Sequence, residues 1–236
     1  MSKKAELMSS RAENGFDGFP AQTVEFLTSV RANNNKPWFE AHRGEYERYL
    51  LSPMRALVEE LATTILMIDP LLEISPRIDK TISRIHRDVR FSKDKSPYRT
   101  TLWIAFKHNR KDWQDTPGFF MEFSAIKYRY GMGFYSASKR TMDRLRDMID
   151  REPQAFIETV AFIDSGPFEL EGETYKRVLN PSKTGVLLDW YQRRNCYVVR
   201  NRKTDRLFFS RKLADELSGA FRTMKPLYDF LWKAKQ

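Results

Sequence analysis

The chain has 236 residues, 41% hydrophobic and 14% aromatic, with seventeen Phe and five Trp; that length and composition suffice for a substantial core and exclude a disordered polymer. Its one cysteine, Cys196, excludes an internal disulfide and a structural metal site built on thiolates. Forty-one Lys and Arg against thirty-one Asp and Glu give a formal charge of +10, a surplus that favours anionic partners such as a phosphorylated small molecule, nucleic acid or an acidic protein.

No run approaches the roughly 20 consecutive apolar residues of a membrane-spanning helix. Lys3 and Lys4 are not followed by an apolar segment, so the start does not read as a secretory signal, and a cytoplasmic location without membrane attachment is expected. Residues 1–15 are polar and aperiodic and read as a flexible tail. With no internal repeat or low-complexity linker after them, residues 16–236 read as one domain.

Val24, Leu27 and Val30 recur every third position and predict a helix over 21–32. Asn33, Asn34 and Asn35 stop it, since asparagine suits turn geometry. Pro37 belongs in the first turn of a second helix, with Trp38 and Phe39 as anchors. Ser52 and Pro53 read as an N-cap followed by proline at the first helical position. Met54, Leu57, Val58, Leu61, Ile65 and Ile68 then share one face until Asp69 and Pro70 end the helix. From about residue 80 the period changes. Residues 81–91 fit a strand with Ile85, Arg87, Val89 and Phe91 on one side and Arg84, His86, Asp88 and Arg90 on the other. Ile82, Ile85 and Val89 also align at helical spacing, but the turn-like stretch 92–97 favours the strand.

Residues 100–107, 119–127 and 128–135 continue as strands. Helical spacing returns with Met142, Leu145 and Ile149, and after Pro153 with Phe156, Ile157, Val160 and Ile163. Phe168, Leu170, Tyr175 and Val178 flank a hairpin expected about Glu171 and Gly172; 197–199 and 206–209 read as further strands. Ser210 caps a helix carrying Leu213, Leu217 and Phe221, and Lys225 and Pro226 precede a short terminal segment with Leu227, Phe230 and Leu231. Helices, then strands, then helices define the α+β class, here a central antiparallel β-meander packed with N-terminal, middle and C-terminal helices.

The densest chemistry lies in residues 84–98, where Arg84, Arg87, Arg90, Lys93 and Lys95 share fifteen positions with Asp88, Asp94, His86 and Tyr98. Ile85, Val89 and Phe91 thread through them, which a merely solvated charge run would lack. The spacing of Arg84, Arg87, Asp88, Arg90, Phe91, Asp94, Lys95 and Tyr98 resembles the signature of a bacterial family, domain-of-unknown-function family 2461. Supporting similarity covers Gly18 to Pro20, residues 33–39 and residues 226–231, nearly the whole chain after the tail. Gly131 to Tyr135 stands where many relatives have a run richer in glycine. The resemblance implies a fold-level grouping and a residue list, not a reaction.

Arginine presents a rigid fork of donors suited to phosphate and carboxylate, and lysine adds a mobile point charge. Arg84, Arg87, Arg90, Lys93 and Lys95 are therefore read as the ligands of an anionic or phosphorylated small molecule. Asp88 would orient a guanidinium and Tyr98 would donate a hydrogen bond. Asp88 and Asp94 are too few to neutralise five cations. Two alternatives stay open. Structural ion-pair networks imitate sites, so the signature can instead stabilise the fold of an interaction module. Alternatively, residues 84–99 join Arg193, Arg194, Arg200, Arg202, Lys203 and Arg206 in a nucleic-acid interface that uses nearby aromatics.

Tyr98 and His86 are the candidates to carry a proton, against roles in closing the turn and at the surface. Whether the protein is an enzyme is left open. His42, His86 and His108 show no metal-ligand spacing, and no nucleophile elbow or phosphate-binding glycine loop occurs, so no metal and no cofactor is expected. Cys196 reads as a buried, inert thiol.

Overall fold

Alternation of burial along the middle of the chain sets the architecture. The computed structural model describes residues 15–236, and the tail expected over 1–15 lies outside them but for Gly15. Strands β1 (Thr101–Phe106), β2 (Pro117–Ser124), β3 (Lys127–Phe134), β4 (Glu169–Glu171) and β5 (Tyr197–Lys203) form one antiparallel sheet in the order β1-β2-β3-β5-β4. Leu102, Ile104 and Phe106 of β1, Phe119, Met121 and Phe123 of β2, and Tyr128, Tyr130 and Met132 of β3 are buried on one face. Thr101, Trp103, Phe120, Glu122, Lys127 and Arg129 alternate with them onto the other.

Helices cover the apolar face. The N-terminal group is α1 (Ala21–Ala32), α2 (Lys36–Ala41), α3 (Arg43–Tyr46) and α4 (Ser52–Ile68). The middle pair is α5 (Lys139–Arg151) and α6 (Pro153–Asp164), followed by the short α7 (Gly185–Tyr191); α8 (Lys212–Thr223) and α9 (Lys225–Lys235) close the chain. Helix α4 packs on α8 and β1, α8 on β3, and α9 on α5, β2 and β3. Phe119 of β2 meets Phe221 of α8 at 5.1 Å and Tyr228 of α9 at 5.2 Å between ring centroids, distances at which aromatic pairs attract beyond their area burial. One cluster of buried side chains runs from Phe16 to Ala234. The fold is α+β, with helices on the sheet.

Several local expectations change. Ser52 caps nothing: Glu47–Leu51 forms a π-helical turn that runs straight into α4. Pro53 has no N–H to offer the carbonyl of Tyr49, and that carbonyl instead accepts the buried Thr23 hydroxyl of α1 at 2.6 Å. The true caps are Asn35, whose side chain accepts from the Trp38 N–H, and Ser138, which accepts from the Thr141 N–H.

Residues 206–209 are turn, not strand, because the Asp205 carboxylate accepts from the N–H groups of Leu207 and Phe208. The hairpin about Gly172 does not return either. Gly172, at φ 126°, leads out of β4, and irregular chain and α7 intervene before β5 completes the pairing with β4. The terminal segment is longer than expected and forms α9.

Candidate anion-binding groove

Residues 84–99 leave the edge of β1 and come back to it. The Arg87 N–H donates to Pro97 O and the Arg99 N–H to Ile85 O, both at 2.8 Å, around a bridge between His86 and Tyr98. Beyond these bonds the limbs open into an irregular lobe with Phe91, 95% exposed, near its tip. The strand expected over 81–91 is not formed. Only isolated bridges occur there, at Ile82 and His86. Two causes act on it. Pro97 in the facing limb has no N–H for a ladder. Asp88 and Asp94 accept from the backbone N–H groups of Arg90 (3.2 Å) and Ser96 (2.9 Å), drawing the chain into side-chain turns. The alternation itself survives: Ile85, Arg87 and Val89 are the more buried positions, and Arg84, His86, Asp88 and Arg90 are exposed.

The three arginines of the first limb each meet a carboxylate. Arg84 pairs with Asp79, Arg87 with Asp94, and Arg90 with Asp88 through two bonds of 2.9 and 2.7 Å. Counting within 84–98 misses Asp79, which stands in a left-handed turn at φ 68° just before the segment. Arg84 and Arg90 therefore do not converge on one anion, and Lys93 is exposed beside the tip.

Arg87 is the best buried of the three arginines, with 24% of its side chain exposed. It also donates to Ser96 O at 3.2 Å and Ser92 Oγ at 3.4 Å, while Lys95 Nζ donates to Val89 O at 3.0 Å. Arg87, Asp94 and Lys95 thus lace the two limbs together. Hydrogen bonds from Arg90 hold the Asp88 carboxyl down at about 2. Those from Ser96, and then from Arg87, hold Asp94 well below the usual carboxylate range.

Tyr98 closes the neck of the lobe. Asn34, from the connection between α1 and α2, accepts from the Tyr98 N–H and donates to its carbonyl, both at 2.9 Å. The ring stacks on Phe39 at 4.2 Å. Burial, and then the nearby Glu40 charge, push the phenol up, with Arg43 opposing. His86 lies exposed at the other side of the bridge, its ring 5.1 Å from that of Tyr98.

Tyr98 faces the helices, so its neighbour Arg99 faces the open side of the sheet. The Arg99 guanidinium lies 4.8 Å above the Trp103 ring, and its Nε is buried without a hydrogen-bond partner. Arg99 lines an open depression of about 530 Å³ together with Arg31, Asn34, Arg87, Ser96, Trp103 and Glu122. A second depression of about 420 Å³ continues from it, sharing Thr101 and Glu122, and is lined by Lys127, Arg129, Asn201, Arg202 and Lys203 among others. Seven cationic residues and two acidic ones, Asp94 and Glu122, line the joined groove, but Arg202 turns its guanidinium over the Tyr128 ring to Asp205 on the covered face. Arg129 pairs with Glu122 at 3.0 Å and Glu171 at 3.4 Å, over the rings of Phe120 and Tyr197. Arg87 and Arg202 have their own aspartates. Among the described residues no carboxylate lies within 4 Å of Arg31, Arg99, Lys127 or Lys203.

Of the residues expected to bind an anion, Arg87 and Tyr98 line this groove; Arg84, Asp88, Arg90, Lys93 and Lys95 do not. The second basic cluster divides. Arg202 and Lys203 line the groove, whereas Arg200 turns to Glu216 of α8, Arg194 to Glu173, and Arg193 to the carbonyls of Gly172 and Leu170. Arg31, Asn34, Trp103, Glu122 and Arg129 were missed as site residues. One signal was present in the sequence, a tryptophan at the polar phase of the alternating Thr101 to Phe106.

Among the described residues no group of three or more His, Cys, Asp or Glu is arranged to hold a metal ion. His108 is engaged elsewhere: it is buried against Trp232, with Nε2 2.8 Å from Asp69 Oδ2. Burial tends to raise the Asp69 carboxyl, but hydrogen bonds from Tyr228, the Leu71 N–H and His108 outweigh it and leave the group below its ordinary value. No helix of the described residues is long and apolar enough to cross a membrane.

Fold and groove together define an α+β protein with a basic cleft on the uncovered face of its sheet. The chain belongs to the family described as "Conserved hypothetical protein (DUF2461)", whose model matches residues 22–230. No curated protein matches it.

Proposed function

We propose that this protein binds an anionic, phosphate-bearing ligand in the groove between the 84–99 lobe and the open face of the sheet. The observation that carries the reading is Arg99, a guanidinium with a buried, unpartnered Nε at the wall of a solvent-open depression. Leaving a buried charged donor unpaired costs more than a neutral one, and a phosphate oxygen admitted by a shift of the Arg99 side chain would satisfy it. Arg31 supplies a second uncompensated charge, and Arg87 a third guanidinium already oriented by Asp94. Asn34, Ser96 and Thr101 add neutral hydrogen-bonding groups around the same space.

The signature then has a divided role. Arg87 faces the ligand. Asp94, Lys95 and Tyr98 hold the lobe in the shape that presents it, and Arg84, Asp88, Arg90 and Lys93 decorate its outer side. The arrangement requires binding and no reaction.

The test is thermal denaturation of the protein with pyrophosphate as the probe. Melting temperature should rise with pyrophosphate, because a ligand that binds only the native state stabilises it by mass action. The rise should vanish in Arg99→Met and persist in Arg90→Ala. No rise in the parent, or equal loss in both variants, defeats the reading.

A further inference from the structure

We infer that the ligand is single-stranded nucleic acid, lying across the sheet along the full groove. The inference rests on the anion site just proposed and extends it from a point to a track.

A compact phosphate compound would need one end of the groove, yet the uncompensated cations stand at both ends. Arg31 and Arg99 lie in the first depression, Lys127 and Lys203 in the second. Between them Trp103, Glu122, Arg129 and Asn201 form one transverse row, each directly opposite the next across β1, β2, β3 and β5. That row crosses three interstrand spacings, about 14 Å, far more than one phosphate group spans. Lys127 and Lys203 are themselves paired in register and exposed. Like charges directly opposite one another repel, and a polyanion passing between them reverses the sign of that interaction.

The track also carries what a base needs. Arg99 over Trp103 makes a flat aromatic and cationic surface, and bases stack on such surfaces whatever their identity. Thr101 offers a hydroxyl beside it, and at the far end of the row the Asn201 amide, which donates to Glu171 at 2.7 Å, keeps its carbonyl oxygen as an acceptor. An acidic protein would use the charge but not the stacking surface. Duplex would present its bases stacked and inaccessible to Trp103.

The experiment is fluorescence anisotropy with a labelled twelve-nucleotide oligouridylate, with uridine monophosphate and inorganic polyphosphate as competitors and pyrophosphate binding measured in parallel. The oligomer should bind more than about tenfold tighter than the mononucleotide. Its affinity should fall with salt at a slope near −3, since each of four neutralised phosphates contributes about −0.7 for a single strand. Lys127→Gln with Lys203→Gln should make that slope shallower by about 1.4 and leave pyrophosphate binding unchanged. Trp103→Leu should weaken the oligomer about tenfold with the slope retained; the lysine pair, being exposed, keeps the test decisive if the tryptophan variant fails to fold.

Oligomer binding no tighter than the mononucleotide, indifference to the lysine pair, or displacement by polyphosphate with Trp103→Leu neutral overturns the nucleic-acid inference while Arg99-dependent pyrophosphate binding still stands. Loss of pyrophosphate and oligomer binding alike removes the underlying site as well.

Discussion

Arg87 and Arg90 sit three positions apart, carry the same group and each hold one aspartate, yet their surroundings give them different weights. Arg90 and Asp88 are both largely in solvent, where water and salt screen the pair and the side-chain entropy spent on holding it offsets the attraction. Arg87 is mostly buried and donates to a carbonyl and a hydroxyl of the opposite limb as well as to Asp94. Arg87→Ala should therefore lower stability by about 1–3 kcal/mol, the cost of unmaking hydrogen bonds to a charged group, whereas Arg90→Ala should leave the urea midpoint unchanged. Equal midpoints for the two variants would show that the limbs are laced by something other than Arg87. Sequence alone could mark both arginines, because charge and spacing are written in it. It could not rank them, because the ranking depends on how deeply each stem is covered and on what the opposite limb offers it.

At the level of elements, the N-terminal helices show how one missing donor propagates. Pro53 leaves the Tyr49 carbonyl unclaimed, and Thr23 from α1 claims it, so a local defect becomes the tie between two helices. Thr23→Val keeps the shape and removes the hydroxyl, and should cost about 1–3 kcal/mol by stranding a buried carbonyl. In a Pro53→Ala background that penalty should shrink, since alanine restores the backbone N–H that proline lacks; a double-mutant cycle in urea reads the coupling directly. Additive effects would mean that the two groups do not share the carbonyl.

The same kind of reasoning explains which elements could be read beforehand. Helix α1 and strands β1 to β3 follow from periodicity, because their apolar positions answer to one covering layer. The lobe, the 206–209 turn and the chain after Gly172 could not be read so. There Asp88, Asp94 and Asp205 spend their carboxylates on neighbouring backbone N–H groups, and the alternation of hydrophobic residues goes on without a ladder beneath it. The groove was legible only in part. Arg87 came from the signature, whereas Arg31, Asn34 and Arg129 reach it from three separate segments that nothing in the linear sequence brings together.

Over the whole molecule, the core is continuous from Phe16 to Ala234 and Cys196 lies wholly inside it. Burial pushes its thiol up to about 12, against the opposing pull of Arg193 and Arg146, and a thiol rather than a thiolate is a poor nucleophile. Cys196 should be inert to an aromatic disulfide reagent in the native protein, and labelling should accelerate in step with unfolding as urea is added. Rapid labelling in the absence of urea would place the thiol at a mobile surface instead.

The sheet order carries a further consequence, for the time course of folding. Strands β1, β2 and β3 are neighbours in the chain and can zip together by local turns. The partner of β3 on its other side, β5, begins at Tyr197, far beyond Phe134 where β3 ends, with α5, α6, β4 and α7 between. Closing that gap costs loop entropy before any ladder bond repays it. On a growing chain the far edge of β3 therefore waits, with Tyr130 and Met132 on its apolar face and its backbone groups unmatched, until the later helices have been made. During that interval the edge is open to pairing with another chain.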